Sequence, residues 1–184
     1  SRARQLQKEP GTQVVGLVDV NEARARTVGE ELGVEWTTEL SPWLERDDVE
    51  AAFVMTPTGL HARTAMAALE AGKHAIVTKP MEANTAACDR MIAAAERAGR
   101  LLAIDFSMRL DAHIQRIRQR VENGDLGELR GGTASLKVQR TDEYFAANGA
   151  WRGTRALDGG GVMSNQNIHH LDELIYTLGV PARV

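Results

Sequence analysis

Residues 51–80 read AAFVMTPTGLHARTAMAALEAGKHAIVTKP, and this stretch decides the fold class. The apolar run Ala51–Met55 predicts a buried strand, and residues 59–71 then show the spacing of a helix that ends at Gly72. A second apolar run, His74–Val77, predicts another buried strand. A strand, a helix and a strand in this order are typical of a parallel pair joined by a crossover helix.

The same strand-and-helix unit repeats on both sides of this stretch. On the amino-terminal side, an apolar run over 13–18 precedes a helical pattern that Gly33 ends. On the carboxyl-terminal side, a helical pattern over 85–98 precedes a fourth apolar run over 101–106. Four such units in series predict an α/β fold with a doubly wound, parallel, Rossmann-type sheet, which we place at residues 1–107.

The pattern changes in the last third of the chain. Residues 133–139 alternate polar and apolar side chains, which predicts a half-exposed and antiparallel strand. A loop over 142–158 and a helix over 162–178 are expected next. We interpret residues 108–184 as the start of an α+β substrate domain with a largely antiparallel sheet, and expect this domain to continue beyond the chain's end because so few elements bury little apolar surface.

Charge and composition exclude several classes of partner. The 184 residues carry 22 Lys and Arg against 25 Asp and Glu, a net charge of -3 that provides no basic field for nucleic acid. The longest apolar runs have five residues, far fewer than the roughly 20 of a membrane-spanning helix. The single cysteine, Cys88, allows no intrachain disulfide, so we expect a cytoplasmic protein.

Asp19 stands directly after the first predicted strand, where a dinucleotide-binding sheet places an acid that binds the adenine ribose hydroxyls. Its charge would repel a 2′-phosphate, and Val20 and Asn21 offer no cation, so we expect NAD rather than NADP. The alternative is a loop aspartate that helps to start the next helix. The glycine fingerprint of such a sheet would lie before Ser1, and Gly159–Gly161 follows a loop, which favours a turn over a phosphate cradle.

Two further groups of polar residues follow predicted strands at the edge where such sheets bind ligands. Thr56, Pro57, Thr58 and His61 follow the second strand and could face a cofactor. The alternative is ordinary turn chemistry, with Thr58 capping the helix and His61 on its exposed first turn. Lys79 ends the third strand, where a partly buried ammonium could exchange a proton with a substrate, unless it is simply a solvated charge.

The last predicted helix places Asn165, His169 and Asp172 on one side, at positions i, i+4 and i+7. An imidazole titrates near neutrality and is suited to taking a proton from an alcohol. Two alternatives remain open: a helix with one solvated face, or a metal hydrolase site. No third ligand accompanies His169 and Asp172 in the sequence, so we expect no metal.

Together these motifs resemble the Gfo/Idh/MocA oxidoreductase family. The resemblance rests on four stretches in the same order and spacing: Val18-Asp19, TPTGLH at 56–61, EAGKHAIVTKP at 70–80, and Gly159–Gly161 followed by HHLD at 169–172. It implies hydride transfer between NAD(P) and a carbon of a sugar, polyol or nucleotide sugar. It also implies a homodimer or homotetramer.

The resemblance further implies roles for individual residues. Lys79 corresponds to the lysine that contacts the substrate hydroxyl and the nicotinamide, and His169 to the histidine that takes the hydroxyl proton. Asn165 lies in the same catalytic and substrate-binding group. The segment with Trp151, Arg152 and Asp158 resembles the wall of a sugar pocket in some members, in which Arg152 meets an anionic substituent.

This chain departs from the family pattern at two of these positions. Thr78 stands where the family usually has Glu, and Asn165 stands where many polyol dehydrogenases have Asp. The Asn-Gln pair at 165–166 is similar to that of nucleotide-sugar dehydrogenases, and favours Lys79 and His169 as the residues that move the proton. Two alternatives on the same fold remain: a non-catalytic protein that senses a dinucleotide or sugar, and an NAD-dependent glycosidase.

Overall fold

The structure, a computed structural model, describes residues 2–181 and 183. Helices and strands alternate through the first part of the chain. The helices are α1 (Arg2–Leu6), α2 (Glu22–Leu32), α3 (Ser41–Leu44), α4 (His61–Glu70), α5 (Thr85–Ala98), α6 (Ala112–Glu122), α7 (Asp142–Ala146) and α8 (Ile168–Leu178). The strands are β1 (Gly16–Val18), β2 (Glu35–Thr37), β3 (Ala51–Val54), β4 (His74–Thr78) and β5 (Leu102–Asp105).

Every strand pairing in the described part of the chain is parallel, which confirms the predicted Rossmann-type fold class. The strands form two hydrogen-bonded groups, β1-β2 and β3-β4-β5. In the larger group Ala51 lies opposite His74, and Ala75 opposite Leu102. The sequence did not predict β2, because its three residues are too short to produce an apolar run.

The hydrophobic core lies where α4 and α5 cover the β3-β4-β5 sheet. Leu69, Val77 and Met91 are fully buried there. Small side chains fill the rest of the helix surfaces, so the helices approach the sheet and each other closely. These small core residues are Ala62, Ala65, Ala87, Ala94 and Ala95. None of the helices in the described ranges is long and apolar enough to cross a membrane.

Trp43 packs against β1 and β2. Its side chain is buried and its indole nitrogen donates to Thr37 Oγ1 at 2.7 Å. The ring lies directly against Gly16, where an added Cβ would stand 1.9 Å from Trp43 Cη2. Gly16 is therefore required for space, because a methyl group and the indole cannot occupy the same volume.

We expect Gly16→Ala to lower the free energy of unfolding by about 1–3 kcal/mol, the usual cost of forcing a side chain into a filled core. The matched control is Gly131→Ala, since no atom lies within 4 Å of a Cβ built at Gly131. Urea denaturation followed by tryptophan fluorescence measures both changes. Equal midpoints for the two variants would contradict the Trp43 contact.

The last third of the chain differs from the predicted elements. Residues 133–139 form no strand in the described structure, because no second strand lies beside them to complete a ladder of hydrogen bonds. The predicted loop after them contains α7. The predicted helix over 162–178 is divided into a π-helical turn, Val162–Gln166, and α8.

Candidate active site

The structure brings Lys79 and Asn165 together, although 86 residues separate them. Lys79 follows β4, is half-buried, and donates from Nζ to Asn165 Oδ1 at 3.0 Å and to the main-chain oxygen of the same residue. Burial lowers the pKa of Lys79, and the negative charge of Asp158 partly opposes that shift. Lys79 is therefore a lysine held in place at the carboxyl edge of the sheet rather than a solvated charge.

His169 lies beside this lysine, on the first turn of α8. Its ring meets Phe106 edge-on, with 6.2 Å between ring centroids. Burial lowers the pKa of His169, and the positive charge of Lys79 lowers it further. The imidazole is therefore neutral near pH 7 and can accept a proton. Its Nδ1 atom is buried and has no hydrogen-bond partner within the described structure.

An ion pair fixes the orientation of α8. The guanidinium of Arg109 donates from Nε to Asp172 Oδ2 at 2.7 Å and from a second nitrogen to Oδ1. Asp172 is only 8% exposed, whereas Leu171 is 37% exposed. The alternative of a helix with a solvated polar face is thus wrong, because the polar side of α8 is the buried one. Sequence analysis missed Arg109, which lies 63 residues from its partner and carries no local signal.

His61 is completely buried, so the expectation that it lies on an exposed first turn is wrong. Its Nδ1 contacts the main-chain oxygen of Pro80 at 2.9 Å, and its Nε2 contacts that of Thr56 at 2.8 Å. Neither ring nitrogen is free for the predicted contact with a cofactor. His61 instead joins the segment after β3 to the segment after β4, and so holds Thr56 near Lys79.

Thr56 and Thr58 have different environments. The hydroxyl oxygen of Thr56 is buried and has no partner among the described residues, which fits a position against a cofactor. Thr58 is 2% exposed and does not cap the helix, since α4 begins without a side-chain cap. Pro57, between them, is half-buried in the same turn. Of the predicted residues in this turn, Thr56 therefore offers the polar atom that best fits a bound cofactor.

Asp19 lies after β1, as predicted, and its carboxylate already has partners. Oδ1 accepts from the Asn21 amide at 2.9 Å, and Oδ2 lies 3.2 Å from a guanidinium nitrogen of Arg24. The first contact supports the alternative interpretation, in which Asp19 helps to start α2. The second contact shows that Arg24, one helical turn beyond Val20 and Asn21, places a cation beside Asp19 that the sequence did not predict.

An aromatic and basic cluster borders the Asn165 turn; we call it the arginine cluster. The guanidinium groups of Arg140 and Arg152 each lie 4.9 Å from the ring centre of Tyr144, and Arg152 also lies 4.7 Å from that of Trp151. Gln166 connects the cluster to Asn165, because it accepts from Arg140 at 3.0 Å and donates to the Tyr144 hydroxyl at 3.0 Å. Within the described residues, no carboxylate pairs with Arg140 or Arg152.

The glycine-rich turn after Asp158 packs tightly on the sheet domain. Gly159 has a φ of 84°, and an added Cβ would stand 2.8 Å from the Ala83 Cα. The Gly59 amide donates to the Leu157 carbonyl at 3.1 Å, and a Cβ at Gly59 would clash with the Ala156 carbonyl. These glycines permit close contact between segments, which agrees with a turn rather than a phosphate cradle.

No three His, Cys, Asp or Glu side chains meet around a potential metal position in residues 2–181 and 183. The adjacent His170 contacts Glu173, with 2.8 Å between Nδ1 and a carboxylate oxygen. The structure therefore gives the metal hydrolase alternative no support. What the site does contain is a lysine, a neutral imidazole and an amide, and a neutral imidazole is a group that can take a proton from a hydroxyl.

Two family models match the chain. Residues 1–106 match the model described as an oxidoreductase family with an NAD-binding Rossmann fold. Residues 114–184 match the GFO/IDH/MocA C-terminal domain. The two matches follow one another along the chain and together include Asp19, Lys79 and His169.

The similar proteins include some that are named for nucleotide sugars or were solved with them, and others named for inositol or a glucoside. The chain is 32% identical, over 72% of its length and 40% of the relative, to dTDP-3,4-didehydro-2,6-dideoxy-alpha-D-glucose 3-reductase from Actinomadura kijaniata. The WlbA dehydrogenase of Bordetella pertussis, solved with NADH and UDP-GlcNAcA, superposes with a TM-score of 0.90 at 28% identity, over 97% of this chain and 53% of that one.

A 3-ketoreductase from Actinomadura kijaniata, solved with NADP and TDP-benzene, superposes with a TM-score of 0.84 at 28% identity, over 96% of this chain and 53% of that one. The two solved neighbours thus differ in the cofactor they bind. The chain spans about half the length of these structures.

Proposed function

We propose, because this chain belongs to the Gfo/Idh/MocA oxidoreductase family, that it forms part of an NAD(P)-dependent dehydrogenase acting on a hydroxyl or keto carbon of a nucleotide sugar. One observation carries the proposal: Lys79 and His169 lie together at the carboxyl edge of the parallel sheet, the edge where such folds bind ligands. A bound nicotinamide cofactor would supply the hydride acceptor there.

The residues of this chain would move the proton. In the oxidation direction, Lys79 donates a hydrogen bond from Nζ to the substrate hydroxyl oxygen and orients it. His169 takes the hydroxyl proton, because burial and the neighbouring ammonium keep its imidazole neutral. In the opposite direction the protonated His169 returns the proton to the keto oxygen. The carbon loses or gains a hydride in the same step, so the proton and the electron pair balance.

The arginine cluster supports a charged substrate. Arg140 and Arg152 place two like charges against one tyrosine ring, an arrangement that an anion would stabilise. Guanidinium groups bind phosphate oxygens through two parallel hydrogen bonds. Gln166 connects this cluster to the turn that holds Lys79, so a diphosphate there would direct the attached sugar toward the reacting groups. This favours a nucleotide sugar over a free sugar or polyol.

The test is to offer the intact protein NAD and a series of sugars with and without a nucleoside diphosphate. We expect reduced cofactor to accumulate with a nucleotide sugar and not with the matching free sugar. A glycosidase would release the sugar without net reduction of added NAD. A sensor would bind both ligands without turnover. Either result would overturn the proposed activity.

Asp19 underlies the preference for NAD, through hydrogen bonds to the ribose hydroxyls. We expect Asp19→Ala to weaken NADH binding about 10- to 150-fold, since a hydrogen bond to a charged group contributes about 1.5–3 kcal/mol. Binding of NADPH should improve, because Arg24 then loses its carboxylate partner and can receive the 2′-phosphate. Titrations of the intact protein that follow the fluorescence of the reduced nicotinamide measure both constants.

The matched control is Asp89→Ala, which removes an exposed carboxylate from the outer surface of α5. It should leave both binding constants unchanged. An Asp19→Ala variant that retains the wild-type ratio of NADH to NADPH affinity would contradict the assigned role and leave Asp19 with its contact at the start of α2.

We further propose a homodimer or homotetramer in the cytoplasm, as the family resemblance and the single cysteine suggest. Size-exclusion chromatography with light scattering tests the first point.

A further inference from the structure

Asp158 is a buried carboxylate whose two oxygens are both occupied. It is 2% exposed, and Oδ2 accepts from the Gly153 amide at 2.8 Å. Oδ1 accepts from the side-chain nitrogen of Asn165. Because Asp158 is almost completely buried and both of its oxygens accept hydrogen bonds from the protein, it is poorly placed for the expected role in the wall of the sugar pocket. Burying a carboxylate is costly unless it is hydrogen-bonded and near a cation, so its position requires another explanation.

The cation near Asp158 is Lys79, which Asp158 contacts only through Asn165. The side chain of Asn165 has two different ends, an oxygen that accepts and a nitrogen that donates. Asp158 can only accept, so it selects the nitrogen and leaves Oδ1 facing the Lys79 ammonium. The opposite orientation would put two donors against each other at Lys79 and two acceptors against each other at Asp158.

We propose that Asp158 is a positioning residue that acts through Asn165, fixing the amide so that its oxygen holds Lys79 while its own buried charge stabilises the ammonium at a distance. Thr78 carries no charge, so Asp158 supplies the negative charge that the residue before Lys79 does not. The proposal rests on the proposed function in one respect: Lys79 is the group whose position affects turnover.

The first test is Asp158→Asn in the intact protein. We expect kcat to fall about 10- to 100-fold with little change in KM, because the misplaced ammonium binds substrate but orients its hydroxyl poorly. The second readout is direct. In an NMR titration of the protein with ¹³C at the Cε atom of lysine, the Lys79 signal is identified as the one that Lys79→Met lacks. The pKa of Lys79 should fall further when Asp158 loses its charge.

Two further variants separate positioning from simple structural support. Asp172→Asn changes another buried carboxylate, one paired with Arg109, and should leave the Lys79 titration unchanged. The double variant Asp158→Asn with Asn165→Asp exchanges the two side chains. An amide donor and a carboxylate acceptor still face each other, and the carboxylate charge now lies beside Lys79. We expect it to raise the pKa of Lys79 above that of Asp158→Asn and to restore part of kcat.

The outcomes distinguish this proposal from the proposed function. An unchanged pKa of Lys79 in Asp158→Asn would overturn the positioning role. So would a double variant that recovers neither kcat nor the pKa of Lys79. If Asp158→Asn alone does not fold, the double variant provides the test. If the Lys79 titration shifts but turnover does not depend on Lys79, the electrostatic link holds and the proposed function fails.

Discussion

Replacing Lys79 with methionine should lower kcat about 10²- to 10⁴-fold, the usual contribution of a positioned group in proton transfer. Methionine has a similar length, no charge and no donor, so it can occupy the half-buried space without holding the substrate hydroxyl. Binding of the reduced cofactor should change much less than turnover. Steady-state kinetics of the intact protein with a nucleotide sugar, together with a cofactor titration, measure the two effects separately.

Lys73→Met is the matched control. Lys73 also donates to a main-chain oxygen, that of Arg46 at 2.7 Å, but it precedes β4 whereas Lys79 follows it. Removing it should affect stability without lowering kcat. Comparable losses of kcat in both variants would show that the charge of the lysine, rather than its position at the carboxyl edge, determines the effect.

Replacing His169 with asparagine should also lower kcat about 10²- to 10⁴-fold in the oxidation direction, because the asparagine amide cannot take the hydroxyl proton as the neutral imidazole does. The pH profile provides a sharper test. Burial and the Lys79 charge lower the pKa of His169, so wild-type oxidation should stay active below the ordinary histidine pKa of about 6.5 and decline only at lower pH. The variant should lose this acid-side decline.

His170→Asn serves as the control, since it removes an imidazole that adjoins His169 in sequence but pairs with Glu173. It should retain kcat and the acid-side decline, with only a small displacement of that decline to higher pH because the charge of His170 contributes little to lowering the pKa of His169. A His169→Asn variant with the wild-type pH profile would assign the titrating group to another residue.

The sequence predicted the parallel sheet well because its strands and helices are defined locally. The helix predicted over 85–98 has the same bounds as α5, since Asn84 caps its start and Gly99 ends it. The strand predicted over 133–139 was wrong for a physical reason. Alternation describes which side chains face solvent, and Ala134 and Leu136 are indeed half-buried beside exposed neighbours. A strand also needs a partner, which alternation cannot supply.

Only part of the candidate site could be predicted, because a sequence shows local position but not contacts between distant residues. Lys79 and His169 follow from local position, at the end of a strand and on one helix face. The contacts that orient them depend on residues far apart in the chain, such as Arg109 with Asp172 and Lys79 with Asn165. His61 shows the limit most clearly. A histidine at the start of a helix is ordinarily exposed, and nothing in its neighbours indicates that two main-chain carbonyls enclose it.

The close contact at Gly59 also has a consequence for dynamics. Its amide donates to the Leu157 carbonyl across the boundary between the sheet domain and the segment that carries Asp158. This amide can exchange its hydrogen with solvent when its hydrogen bond to Leu157 opens, as it does when the two segments separate. Exchange at Gly59 therefore measures how often the two halves of the site come apart, a built-in reporter of opening that requires no added probe.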